Sequence, residues 1–183
     1  VCANSKTGLI SKIACALALG KVNILIVQVF TWHNNLALDV FTVPPPPGPI
    51  FENEKWAKIE KYLERALTTD WDLAKEINKK VKRDSAVPEA LRQPVQVHID
   101  NDSSSFFSVV EVFAYDYSGL LFNITDELYK QNLNIWIAKI ATRSDQVVDV
   151  FYIRDENQQK ITEDEHIRRI EQAIYRRVLM HIS

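Results

Sequence analysis

Val112-Phe113-Ala114-Tyr115-Asp116-Tyr117-Ser118-Gly119-Leu120 restates, place by place, the opening Val1-Cys2-Ala3-Asn4-Ser5-Lys6-Thr7-Gly8-Leu9. The likeness continues through Ile13 and Ile124, Leu17 and Leu128, Asn23-Ile24 and Asn134-Ile135, Ile26 and Ile137, and Thr31 and Thr142. It closes on Asp39-Val40-Phe41 and Asp149-Val150-Phe151. The period is longer than the roughly 20–50 residues of a solenoid unit. The chain therefore reads as two copies of one small domain.

Within each copy the signals come in one order. An apolar run meets a polar turn that ends in Gly8 or Gly119. Leu9, Ile13 and Leu17, like Leu120, Ile124 and Leu128, are spaced by four, which puts each trio on one helix face. Gly20 is a stop signal for the first of these helices. Residues 22–31 and 133–142 are rich in β-branched side chains and read as strands. Short polar turns at 32–35 and 143–145 lead into second strands, a hairpin pattern. A further helix closes each copy, with stripes Trp56, Ile59, Leu63, Leu67 and Ile167, Ile170, Ile174, Val178. Thr162 and Glu165 have the spacing of a capping box at its start. Copy one adds a helical stretch at 71–81 and a strand at 95–99 that reads as its fourth; copy two shows no fourth strand of its own, so either it is cut short or neighbouring strands are shared between the copies.

The order β-α-β-β-α-β is the ferredoxin-like plan: an α+β fold of antiparallel sheets with helices on one face. The expected division is a first domain at 1–100, its first strand cut short, and a second at 101–183. With a three-residue loop at 143–145, Lys139 faces Asp149 as a cross-strand ion pair. The other side of these strands then shows Trp136, Ala138, Ile140, Val148 and Val150. Both sheet faces are apolar and helices cover only one, so the copies are expected to pair with each other or in a homodimer.

Composition narrows the function classes. With 22 Lys and Arg against 24 Asp and Glu, the chain exerts no general pull on nucleic acid or anionic membrane. The basic cluster Lys79, Lys80, Lys82, Arg83 sits at a helix end, where cations suit the dipole. Arg168, Arg169, Arg176 and Arg177 read as an exposed helix face. Two cysteines make neither a disulfide framework nor a zinc site, and Cys15 falls in a helical pattern as a small hydrophobe. His33, His98, His166 and His181 have no metal-ligand spacing. No nucleophile elbow or phosphate-cradling loop is present, so no catalytic residue is assigned. Pro44–Pro47 and Pro49 form a stiff connector. No apolar run is long enough for a membrane span, and no signal-peptide pattern appears. The chain opens without Met and inside the repeat motif, so Val1 is expected to be an internal residue of a larger protein.

These residues resemble the ACT domain, a regulatory module that binds amino acids. The signs are Gly-Leu opening the first helix, Asn-Ile opening the second strand, and a Thr-polar turn before Asp-Val-Phe. The stretches 138–142, 148–153 and 37–43, Trp56-Ala57-Lys58-Ile59, and Val97-His98-Ile99-Asp100-Asn101 also resemble the C-terminal region of the bifunctional P-II uridylyltransferase/uridylyl-removing family. That resemblance covers essentially the whole chain. It implies a cytoplasmic glutamine sensor that reports nitrogen status to catalytic domains elsewhere in the parent. Those domains attach UMP to the P-II signal protein or remove it, and need magnesium; the fragment itself needs no cofactor. A non-binding ACT pair, and a sensor of another amino acid in a different parent, stand as alternatives.

The resemblance also implies a ligand at the first strand-to-helix turn, near a domain interface. In copy one this names Asn4, Ser5, Thr7, Gly8 and Leu9; in copy two, Asp116, Ser118, Gly119 and Leu120. A helix N-terminus offers unpaired N–H groups to a carboxylate, and glycine lets a ligand approach the backbone. Asn23 and Asn134 at the adjoining strands supply amides, and Asp116 receives an ammonium. The family turn usually carries Asp, any residue, Pro, Gly. Both prolines are missing here, and Ser5 stands where copy two has Asp116. The plainer reading is that both glycines serve only a tight turn.

Overall fold

The structure, a computed structural model, describes residues 2–4, 8–31, 36–45, 49–84, 94–143 and 146–180. Its elements are β1 (Cys2–Asn4), α1 (Leu9–Leu19), β2 (Ile26–Thr31), β3 (Leu36–Thr42), α2 (Pro49–Thr68) and α3 (Leu73–Asp84). They continue with β4 (Gln96–Asp100), β5 (Ser108–Tyr115), α4 (Leu120–Lys130), β6 (Asn134–Arg143), β7 (Gln146–Arg154) and α5 (Asp164–Leu179). The fold is α+β. One antiparallel sheet has the order β1-β3-β2 and the other β4-β5-β7-β6. Both contain the same three-strand arrangement, as two ferredoxin-like units require.

β4 departs from the sequence expectation. It does not close the first sheet; it pairs antiparallel with β5, from Gln96 opposite Phe113 to Asp100 opposite Val109. Adjacent strands joined by a short loop lose little chain entropy on pairing. The loop is also pinned. The Asp100 carboxylate accepts the Asp102 N–H at 2.6 Å and the Ser103 hydroxyl, and the Lys160 ammonium donates to the carbonyls of Asn101 (2.5 Å) and Ser104 (2.7 Å). β4 thus takes the edge position for which the second copy has no strand of its own among the described residues.

The hairpin register corrects a second expectation. Asp149 lies opposite Ile140, and Lys139 opposite Val150. A slip of one residue exchanges the two faces of a strand. Asp149 therefore points into the helix-covered core, while Lys139 lies on the outer face over the Tyr152 ring at 5.1 Å. Ala138 and Ile140 are buried, whereas Val148 and Val150 alternate with the buried Val147, Asp149 and Phe151 and so face outward. A bulge between Ile135 and Ile137 re-aims Trp136. The capping box does not form either: Glu163 is the N-cap residue of α5 and makes no side-chain capping bond. The turn at 32–35 lies outside the described residues.

The units share a core. β2 lies against β6 and α1 against α4. Ile10, Ala14, Ala18, Val27 and Val29 from the first unit pack in one cluster with Val110, Phe122, Ile124, Leu128 and Phe151 from the second. The small side chains of α1, Ala14, Ala16 and Ala18, allow it to be buried almost all round. A smaller cluster of Leu9, Ile13, Leu17, Val22 and Ile59 holds α2 to α1. Ile170, Ile174 and Val178 are fully buried, as the stripe on α5 implies; on α2, Leu67 is exposed. The uncovered sheet face presents exposed Val40, Phe113 and Ile137.

Gly20, at the end of α1, gives the first prediction. Its φ of −76° is open to any residue, but a Cβ there would stand 2.7 Å from Ile59 Cδ1. The cost of Gly20→Ala is therefore steric. We expect a loss of about 1–3 kcal/mol, read as a lower urea midpoint at unchanged slope.

Candidate functional site

Between the end of β5 at Tyr115 and the start of α4 at Leu120, the chain turns through Gly119. Gly119 has φ 99° and ψ 1°, a left-handed conformation that costs other L-residues roughly 1–2 kcal/mol. It is the N-cap of α4, so no side chain caps the helix, and the first turn carries no acidic residue. This end carries the positive end of the helix dipole, though the Leu120 N–H is already engaged by the turn. The turn is held rigidly. The buried Tyr117 hydroxyl accepts the Asn123 Nδ2–H at 3.0 Å, and the Leu120 N–H donates to the Tyr117 carbonyl at 3.0 Å.

A pocket opens beside this turn, and its walls come from both units. The second unit supplies Asp116 to Gly119, the first turn of α4, and Ile140, Val147 and Asp149 from the hairpin. The first unit supplies Ala14 and Ala18 from α1, and Val22, Asn23 and Ile24 from the connection to β2. Its empty space, open mouth included, is about 480 Å³.

The charge in the pocket is concentrated in two carboxylates. Asp149 is 1% exposed, and its Oδ1 has no hydrogen-bond partner among the described residues. Burial, and then the negative charge of Asp116, push its carboxyl up to about 8. Asp116 is half-buried and is also raised by burial. Two acids are thus held where ionising both is unfavourable, and a cation between them would relieve that cost. The first residues of α4, Leu120 to Phe122, line the same pocket, so it brings two carboxyl groups and the positive end of a helix dipole together.

Over 169 residues the chain is 33% identical to the bifunctional uridylyltransferase/uridylyl-removing enzyme of Azospirillum brasilense. It is 34% identical over 178 residues to the enzyme of that name from Rhodospirillum rubrum, and 34% over 169 residues to that from Gluconobacter oxydans. These matches cover 91%, 95% and 91% of the chain. The chain is homologous to a segment of the bifunctional uridylyltransferase/uridylyl-removing enzymes. It spans 18–19% of the length of these relatives. No family model matches it.

In this uridylyltransferase-related chain, five of the residues singled out in the sequence, Asn23, Asp116, Ser118, Gly119 and Leu120, line the pocket together. Asn134 does not join them: its Nδ2 donates to the Asp155 carbonyl at 3.2 Å and ties β6 to the end of β7. Leu9 is buried in the cluster between α1 and α2, and Gly8 packs on Tyr129. Asn4 pairs with Leu36 in the first sheet, and Ser5 and Thr7 lie outside the described residues. The sequence reading missed Asp149, Tyr117, Ala14 and Ala18. For Asp149 a signal existed, because its tripeptide recurs at Asp39, which is also buried and raised, to about 6, by burial.

Among the described residues no group of three or more His, Cys, Asp or Glu is placed to hold a metal. The Cys15 thiol is pushed up to about 12, first by burial, which suits packing rather than nucleophilic attack. No helix among the described residues is long and apolar enough to cross a membrane.

Proposed function

We propose that this chain is a pair of ACT units that senses an amino acid, glutamine first among candidates, in the regulatory part of a cytoplasmic uridylyltransferase/uridylyl-removing enzyme. The observation that carries the reading is a buried carboxylate with an unpartnered oxygen, Asp149, in a pocket that also holds Asp116 and an uncapped helix end. The ligand ammonium binds between Asp116 and Asp149, and its carboxylate meets the positive end of the α4 dipole, at the N–H groups that follow Leu120. Asn23 at the mouth both donates and accepts, which matches a side-chain amide. A glutamate side chain would add negative charge near two acids and is disfavoured.

The pocket walls belong to both units, so affinity depends on how the units sit. A ligand that binds one arrangement better shifts the population toward it, and that is how occupancy reaches distant domains. On this reading UMP transfer to the P-II signal protein, UMP removal and the magnesium they need belong to the rest of the enzyme. The test is calorimetric titration of the chain with L-glutamine, L-glutamate and other amino acids. Glutamine is expected to bind and glutamate not. Silence from every amino acid at millimolar concentration would make the pair a structural module. Selective binding of another amino acid would keep the site and replace the ligand.

A further inference from the structure

The units meet through β2 and β6 and through α1 and α4, and the outer face of the second sheet takes no part in that contact. On this face the side chains follow a symmetric plan about β7, the strand between β5 and β6. Val150 of β7 has Glu111 of β5 opposite it on one side and Lys139 of β6 on the other. All three point away from the core, because they alternate with the buried Val110, Val112, Ala138, Ile140, Asp149 and Phe151. Glu111 and Lys139 thus stand about 9–10 Å apart with an apolar side chain between them. Neither belongs to an ion pair among the described residues, and the Lys139 ammonium lies over the Tyr152 ring at 5.1 Å. Around these charges the face is apolar: Phe113 and Ile137 are exposed, and Val148 and Val150 are half-buried.

A negative charge, an apolar centre and a positive charge in one row make a self-complementary surface. A two-fold axis running along β7 above Val150 turns that row end for end. It sets Val150 against its own copy and Lys139 of each chain against Glu111 of the other. Sheets packed face to face lie about 10 Å apart, a gap that two long charged side chains span. We propose that this face docks a second copy of the chain, sheet on sheet, with two reciprocal Lys139–Glu111 ion pairs flanking Val150. Arg154 is the other cation at this face, stacked on the Phe107 ring at 4.6 Å and bonded to the Phe106 carbonyl at 2.8 Å. It lies four residues along β7, about 13 Å from Val150, where a crossing angle of about 30° displaces it by about 6 Å from its own copy. Four strands and the eight residues of β5 give a face of about 19 Å by 26 Å. A dimer then covers on the order of 1,000 Å², the lower limit of specific interfaces, so the association is expected to be reversible. Asp149 puts the pocket on the opposite, helix-covered side of the sheet, so this dimer does not depend on what the pocket binds.

The test is sedimentation equilibrium of the unaltered chain and of Lys139→Glu, Glu111→Lys and Val150→Arg. The unaltered chain is expected to dimerise as its concentration rises toward about 1 mM. Each charge reversal sets like charges face to face twice and should weaken the dimer by about tenfold or more. Mixed in equal amounts, the two reversed chains should pair with each other, because one is acidic at both positions and the other basic at both. Damage done by either change within its own chain could not be rescued in this way. Val150→Arg brings two cations together on the axis and should weaken the dimer in the same measure. Circular dichroism melts identify a variant that has lost its fold; if a reversed chain has, folded Val150→Arg decides, and a dimer that it leaves intact overturns the proposal. An unaltered chain that stays monomeric at about 1 mM, a dimer indifferent to the three changes, or reversed chains that stay apart on mixing overturns it as well.

Discussion

Replacing Asp149 with Asn is expected to stabilise the protein at pH 7 and to abolish ligand binding. Burial raises this carboxyl from the ordinary 3.8 to about 8, with the charge of Asp116 adding to the effect. Between those values the folded chain keeps a proton that the unfolded chain has released. Stability therefore falls as pH rises from about 4 to about 8 and levels off above. At about 1.4 kcal/mol per pH unit, the loss at pH 7 is at most about 4 kcal/mol. Asn cannot ionise, so the variant should lose this slope. A buried amide needs partners of its own, which leaves a net gain of about 1–2 kcal/mol at pH 7. Binding moves the other way. An ammonium favours the ionised carboxylate, so glutamine should displace the Asp149 proton. Wild-type affinity should then climb by up to about tenfold per pH unit on the way to pH 8. In Asp149→Asn both the affinity, by about 100-fold or more, and this pH dependence should disappear. Urea titrations from pH 5 to 9 and calorimetry over the same range provide the check. A variant that is more stable and still binds glutamine normally would remove Asp149 from the site.

The opposed effects explain why the site was only half legible in the sequence. Gly119 and its helix could be read, because a left-handed N-cap and the Gly-Leu pair after it leave a local signature. Asp116 followed from its place in the turn. Asp149 sits on a strand, where its meaning depends on which face it occupies, and that depends on one residue of hairpin register. Read in the other register it is a surface ion pair with Lys139; in the structure it is the buried acid of the pocket. Asn134 was misread for a related reason. Its equivalence to Asn23 is real in sequence, but the side chain is claimed by Asp155, which sequence spacing does not bring near. Ala18 was not singled out in the sequence: it is one small residue on a helix, and only the packing of one unit on the other shows that it lines the pocket.

The fold shows the same division between local and long-range information. Spacings of four gave α1, α4 and α5, and β-branched runs gave the hairpins, because these patterns are set within one element. The strand at 96–100 was equally visible, but its neighbour was not. An edge strand carries no mark of which sheet it completes, and the choice fell to the short, hydrogen-bonded loop that joins it to β5. The helix start near Thr162 had the residues of a capping box, yet the chain enters α5 with Glu163 in extended conformation as the N-cap. Asp164 and Glu165 sit in the first turn of α5, where negative charge suits the positive end of the helix dipole.

Phe151→Ala should cost about 3–5 kcal/mol, and it should lower the stability of both units together. Phe151 is fully buried on β7, the strand between β5 and β6, and belongs to the cluster that also contains Ala14, Ala18, Val27 and Val29 of the first unit. Its repeat counterpart Phe41 is only partly buried, so Phe41→Ala should cost less, about 1–2 kcal/mol. If the units had separate cores, damage to one would split unfolding into two transitions. A shared core couples them, because removing either unit exposes apolar surface on the other. Trp56 and Trp71 report on the helices of the first unit, and Trp136 lies in the second, 6.1 Å from the Phe107 ring. Single-tryptophan variants followed in urea, with and without Phe151→Ala, should give coincident curves shifted by the same amount. A first-unit signal that ignores Phe151→Ala would mean that the units fold apart. In that case a ligand held between them would lose its lever, since sensing by this pocket requires that what happens in one unit be felt energetically in the other.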